Sequence, residues 1–423
     1  MKRAFILALH TVALCVAAEL PASKPESVGF SSDRLQNLHS LIQNEIDQKQ
    51  LAGAVTLLAR HGKVIDYRTY GERDREKSVP MTKDTIFRAY SMTKPLTGVA
   101  MMILYEQGKW LPISDYIPEF AHLKVFNGFD GSGKMILVDP EHTPTVGEVM
   151  SHSAGLSYGF TQSPVDLLYH EKKVLQSANL QEMIEKLATV PLNYQPGSRW
   201  QYSVGMDIEG YMIEKLSGQS LPDFMREHIF DPLGMKDTGF FVPQEKRGRL
   251  AVNYGAKPDN HLEPVNPGGS TPTDYSEQPT MPSGGGGSVT TAEDYYHFAQ
   301  MLANGGELAG KRILSPATVK LMSSNHLSPA LLNGQFAGGQ HVMRRGFGYG
   351  FNVAVAFDPP EAAMSDGKGT FLWDGAAGTW FWVDPTNDVV FVSMIQRMTS
   401  PDNHTIEYKS HAAVYSALID PSK

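Results

Sequence analysis

Ser91-Met92-Thr93-Lys94-Pro95-Leu96-Thr97-Gly98-Val99-Ala100-Met101-Met102-Ile103-Leu104 is the stretch on which the reading of this chain turns. From Met92 to Gln107 it is apolar nearly all round, which predicts a helix buried in a core rather than one lying on a surface. Proline fits a helix only in the first turn, where a missing N–H does no harm, so Pro95 places the helix start at Ser91. A serine and a lysine three residues apart then share one helix face. The free N–H groups and positive dipole end at such a terminus favour negative charge developing beside the serine. A nucleophile, a candidate base and a place for an oxyanion therefore coincide. The spacing alone is weak evidence, because an N-capping serine followed by a solvated lysine looks the same. Ser365-Asp366-Gly367-Lys368 repeats the spacing in a Gly-rich segment that reads as a loop.

Outward from this helix, residues 30–50 read as an amphipathic helix capped by Ser31 or Ser32, with Leu35, Leu38, Leu41, Ile42 and Ile46 on one stripe. Ala54–Ala59 and Val64–Tyr70, joined by His61-Gly62-Lys63, read as a hairpin. At the far end, Thr370–Trp373, Gly378–Val383 and Val389–Ile395 read as strands, and about Thr405 to Leu418 as a closing helix. Between them, Asn253–Thr273, Pro279–Gly287 and Leu332–Gly350 read as surface loops. Thr290-Thr291-Ala292-Glu293 reads as a capping box for a helix running to Leu302. Strands at both termini with helices between them predict an α/β fold. A discontinuous α/β domain (25–87 and 288–423) would carry an inserted, mainly helical domain (88–287).

The chain has 423 residues, 41% hydrophobic and 19% charged, which describes an ordinary globular protein. A net charge of −8 gives no reason to expect nucleic acid or an anionic membrane as partner. No apolar run reaches the ~18 residues that a bilayer span needs. Lys2-Arg3, the apolar stretch Ala4–Val16 and Val16-Ala17-Ala18 have the layout of a signal peptide over residues 1–18. That predicts a periplasmic or secreted protein, or a cytoplasmic one if the segment is a docked helix. Cys15, the one cysteine, lies inside it, so the mature chain would have neither a disulfide nor a cysteine nucleophile.

Other solutions to hydrolysis find less support. Gly155-Leu156-Ser157-Tyr158-Gly159 has the Gly-x-Ser-x-Gly spacing but no strand-turn-helix pattern around it, and the overlapping Ser151-His152-Ser153-Ala154-Gly155 begins with serine. There is no His-Glu-x-x-His, and the 14 histidines show no metal-ligand spacing, so neither metal nor cofactor is expected. Gly128–Lys134 fits most of a phosphate-binding loop, but Met135 stands where Ser or Thr is required. Gly284–Gly287 is read as a place where backbone passes close to another element. Tyr202 offers a second base. It follows Pro196-Gly197 and precedes a helix with Ser203 as cap, Val204, Ile208, Tyr211 and Met212 as core stripe, and Gly218 as terminator. A phenol at a helix start beside an ammonium is expected to have its pKa drawn below ~10.

Taken together, these parts resemble the serine β-lactamases and penicillin-recognising enzymes, and most of all the family VIII carboxylesterases related to class C β-lactamases. Ser91-Met92-Thr93-Lys94 matches the first motif, Tyr202-Ser203-Val204 the second, and Trp373-Asp374-Gly375 the third, in the family's order and wide spacing. The resemblance covers about residues 25–420. It implies a β-lactamase-like fold, an antiparallel sheet flanked by helices. It further implies that Ser91 is the nucleophile, that Lys94 and Tyr202 share the base and acid roles, and that the Ser91 and Ala376 N–H groups form the oxyanion hole. Trp373, Gly375 and Tyr158 would contact substrate.

Two departures bear on activity. Val204 stands where class C β-lactamases carry asparagine, and Trp373 where they carry the lysine that would pair with a β-lactam carboxylate. Losing a hydrogen-bond donor and a cation disfavours an anionic amide substrate and leaves a neutral ester unaffected. Hydrolysis of short carboxylic esters is the expected activity. Weak β-lactamase, D-amino-acid peptidase or acyltransferase activity is the alternative, and a catalytically silent penicillin-binding-like interaction protein is the non-enzyme alternative. A silent protein has no physical reason to keep Ser91, Lys94 and Tyr202 together.

Overall fold

The computed structural model describes residues 20–110, 112–257, 261–265, 275–332, 343–398, 400 and 402–423. The expected signal peptide and Cys15 lie outside these residues. Helix α1 (Ser32–Asp47) starts where Ser31, in extended backbone, accepts the Arg34 N–H on its hydroxyl at 3.3 Å, and it buries Leu35, Leu38 and Ile42. Strands β1 (Gly53–Arg60) and β2 (Lys63–Asp74) form the expected hairpin, with β3 (Val79–Pro80) beyond them.

The other end of the chain supplies β4 (Phe347–Tyr349), β5 (Ala354–Ala356), β6 (Thr370–Asp374), β7 (Trp380–Asp384) and β8 (Val389–Met394). All eight strands make one antiparallel sheet in the order β4-β5-β6-β7-β8-β1-β2-β3. The two termini are joined where Val55 pairs with Met394 and Leu57 with Val392. β1, β7 and β8 are buried at every position, because helices cover both faces. Phe381 meets Tyr295 of α4 (Ala292–Ala303) at 5.0 Å, and its neighbour Trp382 stacks on His411 of α5 (Asp402–Ala417) at 3.8 Å. Successive strand residues point to opposite faces, so α4 and α5 lie on opposite sides.

Between the first and last strands the chain is mostly helical. Helix α2 (Thr93–Glu106) is buried from Thr93 to Leu104 and packs against α3 (Gly205–Ser217), which Gly218 ends at φ +75°. One hydrophobic cluster contains Leu57 and Phe381 of the sheet as well as Leu96 and Ile208 of these helices. No helix among the described residues is long and apolar enough to cross a membrane.

Several local expectations fail for identifiable reasons. Within 253–273, Tyr254–Ala256 and Leu262–Pro264 are paired strands, and the first joins Arg397–Met398 in parallel. Phe347–Tyr349, inside the expected loop 332–350, is the edge strand of the main sheet. Three-residue strands carry too few positions for a period to show. β7 begins at Trp380 rather than Gly378, which sits in a turn at φ +79°. The cap of α4 is Thr291, not Thr290, because Thr290 is paired with Phe87. The Asp294 carboxylate accepts from the Asp237 N–H and the Thr238 hydroxyl, so no capping box forms. Val204, not Ser203, occupies the cap position of α3.

Candidate active site

Ser91 lies in a tight turn, Tyr90–Met92, that runs directly into α2. Tyr90 is held at φ +46°, a left-handed conformation that strains a residue with a Cβ by about 1–3 kcal/mol. The surroundings hold it there. Its hydroxyl accepts from Asn253 Nδ2 at 3.1 Å, the Ala89 N–H bonds the Ser288 carbonyl at 2.9 Å, and the Tyr295 hydroxyl bonds the Met92 carbonyl at 2.9 Å. The turn thereby presents Ser91 at the mouth of a helix that is otherwise enclosed.

Lys94 and Tyr202 converge on the serine. Lys94 Nζ is 3.1 Å from Ser91 Oγ and donates to the Gly285 carbonyl at 2.7 Å. Tyr202 Oη is 2.7 Å from Ser91 Oγ. The amine also lies 4.6 Å from the centre of the Tyr202 ring and 5.2 Å from that of Tyr158. Both distances to Ser91 Oγ fall within hydrogen-bond reach.

Burial governs the electrostatics. Lys94 is 1% exposed, and removal from water lowers its pKa to about 7, with Asp207, Asp374 and Glu209 partly opposing the fall. Tyr202 departs from the sequence-based expectation. Its pKa is driven well above the usual tyrosine value, not below it, first by burial, with the Ser91 hydrogen bond opposing. The rings of His152 (4.8 Å), Tyr158 (5.1 Å) and Trp373 (5.7 Å) crowd the phenol. The helix terminus begins only at Gly205, and the neighbouring amine is itself discouraged from charging. A neutral phenol can donate to Ser91 Oγ while a neutral amine donates to Gly285 and keeps its lone pair for the serine proton.

The third stretch reaches the same place. β6 ends at Asp374, and the turn Gly375–Gly378 docks on the backbone before Ser91. A Cβ on Gly375 would stand 2.4 Å from the Ala89 carbonyl oxygen and 2.3 Å from Thr379 Oγ1. Ala376 is exposed at the tip of that turn, and Trp373 is buried behind Tyr202. Gly375→Ala should therefore lower stability by ~1–3 kcal/mol, read as a fall in melting temperature, since the overlap is with backbone that cannot give way. A variant that melts like the parent would show that the turn is not docked as described.

Residues 38–415 match the model of the Beta-lactamase family. The chain belongs to the β-lactamase family of serine hydrolases. Esterase EstB of Burkholderia gladioli is 30% identical over 391 residues, 86% of this chain and 92% of that protein. Lovastatin esterase of Penicillium rubens is 27% identical over 389 residues, 86% of this chain and 94% of the relative. Among solved structures, EstCE1, described as a hydrolase with promiscuous acyltransferase activity, superposes with a TM-score of 0.76 at 28% identity. It covers 90% of this chain and 99% of its own.

Within this β-lactamase-family chain, several contributors were not legible as motifs. The Gly284–Gly287 run makes the expected close approach, since a Cβ on Gly284 would stand 2.2 Å from the Met206 carbonyl oxygen. What the sequence did not foretell is that the Gly285 carbonyl would hold Lys94. His152 packs beneath Tyr202, held neutral by burial and bonded through Nδ1 to the Ser203 N–H and hydroxyl. Asn352 ties the Lys94 carbonyl (3.0 Å) to the Glu209 carboxylate (2.7 Å). Val204 is fully buried in the core, so its side chain contributes packing. Ser365 and Lys368 are exposed, Ser153 is buried against Ser151, and Ser157 is buried with its hydroxyl donating to the Asp166 carboxylate. Asp374, His404 and Glu407 bring ligand-type atoms within 4.8 Å of one another. His404 Nδ1 is 3.6 Å from Asp374 Oδ2 and 3.9 Å from Glu407 Oε2, wider than ~2 Å metal bonds would draw them.

Proposed function

We propose that this chain is a carboxylesterase of the family VIII type, cleaving short neutral esters through an acyl-serine on Ser91. The observation that carries the reading is a single oxygen, Ser91 Oγ, reached at once by Lys94 Nζ at 3.1 Å and Tyr202 Oη at 2.7 Å. Lys94 takes the serine proton as Oγ attacks the ester carbonyl carbon. The Ser91 and Ala376 N–H groups receive the oxyanion, each contributing ~3 kcal/mol to the transition state. As the tetrahedral intermediate collapses, the alcohol leaves with a proton from the Tyr202 hydroxyl, which Lys94 replenishes. Water then attacks the acyl carbon with the proton path reversed, and acid and free serine are restored. An alcohol in place of that water would give a new ester, which is how acyl transfer would arise on the same site. The N-terminal segment supports a periplasmic or secreted location.

Substrate choice follows from what surrounds the serine. Trp373, where a β-lactamase would present a cation, is an apolar wall 5.7 Å from the Tyr202 ring. Tyr158 and Gly375 complete the expected contacts. Hydrolysis of p-nitrophenyl butyrate should exceed that of a penicillin by at least ~10³-fold in kcat/KM, about 4 kcal/mol of transition-state binding. Parallel assay of p-nitrophenyl esters of increasing chain length and a chromogenic cephalosporin on one preparation tests this. Comparable kcat/KM for ester and penicillin would leave the family and remove the esterase.

A further inference from the structure

Asp207 lies in the first turn of α3, five positions after Tyr202, with its side chain buried. Its Oδ1 accepts from the Ser283 hydroxyl at 2.5 Å and from the Gly285 N–H at 3.1 Å. The other side of the same residue, the Gly285 carbonyl, accepts from Lys94 Nζ at 2.7 Å. A Cβ built on Gly285 would stand 3.0 Å from Asp207 Oδ2 and 2.5 Å from Tyr158 Oη, so the glycine loop is clamped between carboxylate and phenol.

We propose that Asp207 is a positioning residue for Lys94: it fixes the glycine loop so that the Gly285 carbonyl steers the amine onto Ser91, and its negative charge governs when that amine is free to accept a proton. This rests on the reading of Lys94 as the base in ester cleavage.

The groups facing Lys94 leave Asp207 as the chief source of negative charge. Tyr202 and Tyr158 are kept as neutral phenols by burial, and His152 is kept neutral by burial. Glu209 is pushed up to about 8 by burial, so it is mostly protonated near neutrality. Asp374 acts from the end of β6 and ranks behind Asp207 in opposing the burial of the ammonium. Asp207 is itself pushed up by burial, but the Ser283 hydroxyl, Lys94 and the Gly285 N–H favour its ionised form. Around metal sites, partners that act through another group in this way change activity by about 10–100-fold, the scale to expect of a group behind a catalytic amine.

The test is a pH profile. Asp207→Asn keeps an oxygen able to accept from both Ser283 and Gly285 and removes only the charge. The wild-type enzyme should show an acid limb in kcat/KM near pH 7. In Asp207→Asn that limb should move down by about one pH unit, so activity at pH 5.5 relative to the variant's own plateau rises about tenfold. Asp207→Ala, which also frees the loop, should in addition lower kcat on the plateau. A limb that stays where it was in a folded Asp207→Asn overturns the proposal. Should that variant not fold, Asp207→Ser supplies a second charge-free variant, and an unmoved limb there overturns the proposal equally. A wild-type profile without an acid limb, or a fully active Lys94→Ala, removes the base assignment instead, so the two failures are told apart.

Discussion

Ser91→Ala should abolish ester hydrolysis, lowering kcat by at least ~10⁴-fold, while the protein stays folded. The hydroxyl is the atom on which Lys94 and Tyr202 converge, so without it neither has a proton to take or a bond to assist. The fold has little stake in it. Lys94 keeps the Gly285 carbonyl, and losing one partly open hydrogen-bonding group costs ~1 kcal/mol. Circular dichroism and melting temperature should match the parent. Mass spectrometry after a fluorophosphonate should place the adduct on Ser91 and find none in the variant. An adduct on Ser153 or Ser365 would remove the assignment.

Lys94→Ala and Tyr202→Phe should each cost ~10²–10⁴ in kcat, and the double variant little more than either. The reason for non-additivity is geometric. One group takes the proton from Ser91 Oγ and the other returns it to the leaving oxygen, so removing either stops the same proton circuit. Steady-state kinetics on one ester, with burst-phase acylation, measures both effects. Near-normal turnover in Tyr202→Phe would show that the phenol is packing and not proton transfer. Full multiplicative losses in the double variant would mean two independent contributions, not one circuit.

How far these groups could be read from the sequence depended on whether their meaning is local. Pro95 and the apolar run behind it are local, and they located Ser91 and Lys94. Tyr202 could be located but not characterised. Its acidity is set by Trp373, His152 and Tyr158, brought from distant parts of the chain, and proximity of those rings overrode the helix-terminus argument. The Gly285 carbonyl was invisible because a carbonyl belongs to every residue. The α4 cap shows two overlapping Thr-x-x-acid frames, and only the pairing of Thr290 with Phe87 selects the second.

The place of β8 in the sheet, between β7 and β1, has a consequence in time. The β1–β2 hairpin is made long before the neighbour that satisfies the other edge of β1, since β8 begins only at Val389. During synthesis a strand that the fold buries at every position waits with one row of N–H and C=O groups unmet, a template for unwanted pairing. Closure of the sheet is therefore the late and slow event. Because the Gly375 turn packs against the Ala89 carbonyl, the serine turn gains this neighbour only when β6 is in place, well after Ser91, Lys94 and Tyr202 have been made. The two halves of the chain thus have to meet in the sheet before the serine turn has all its supports.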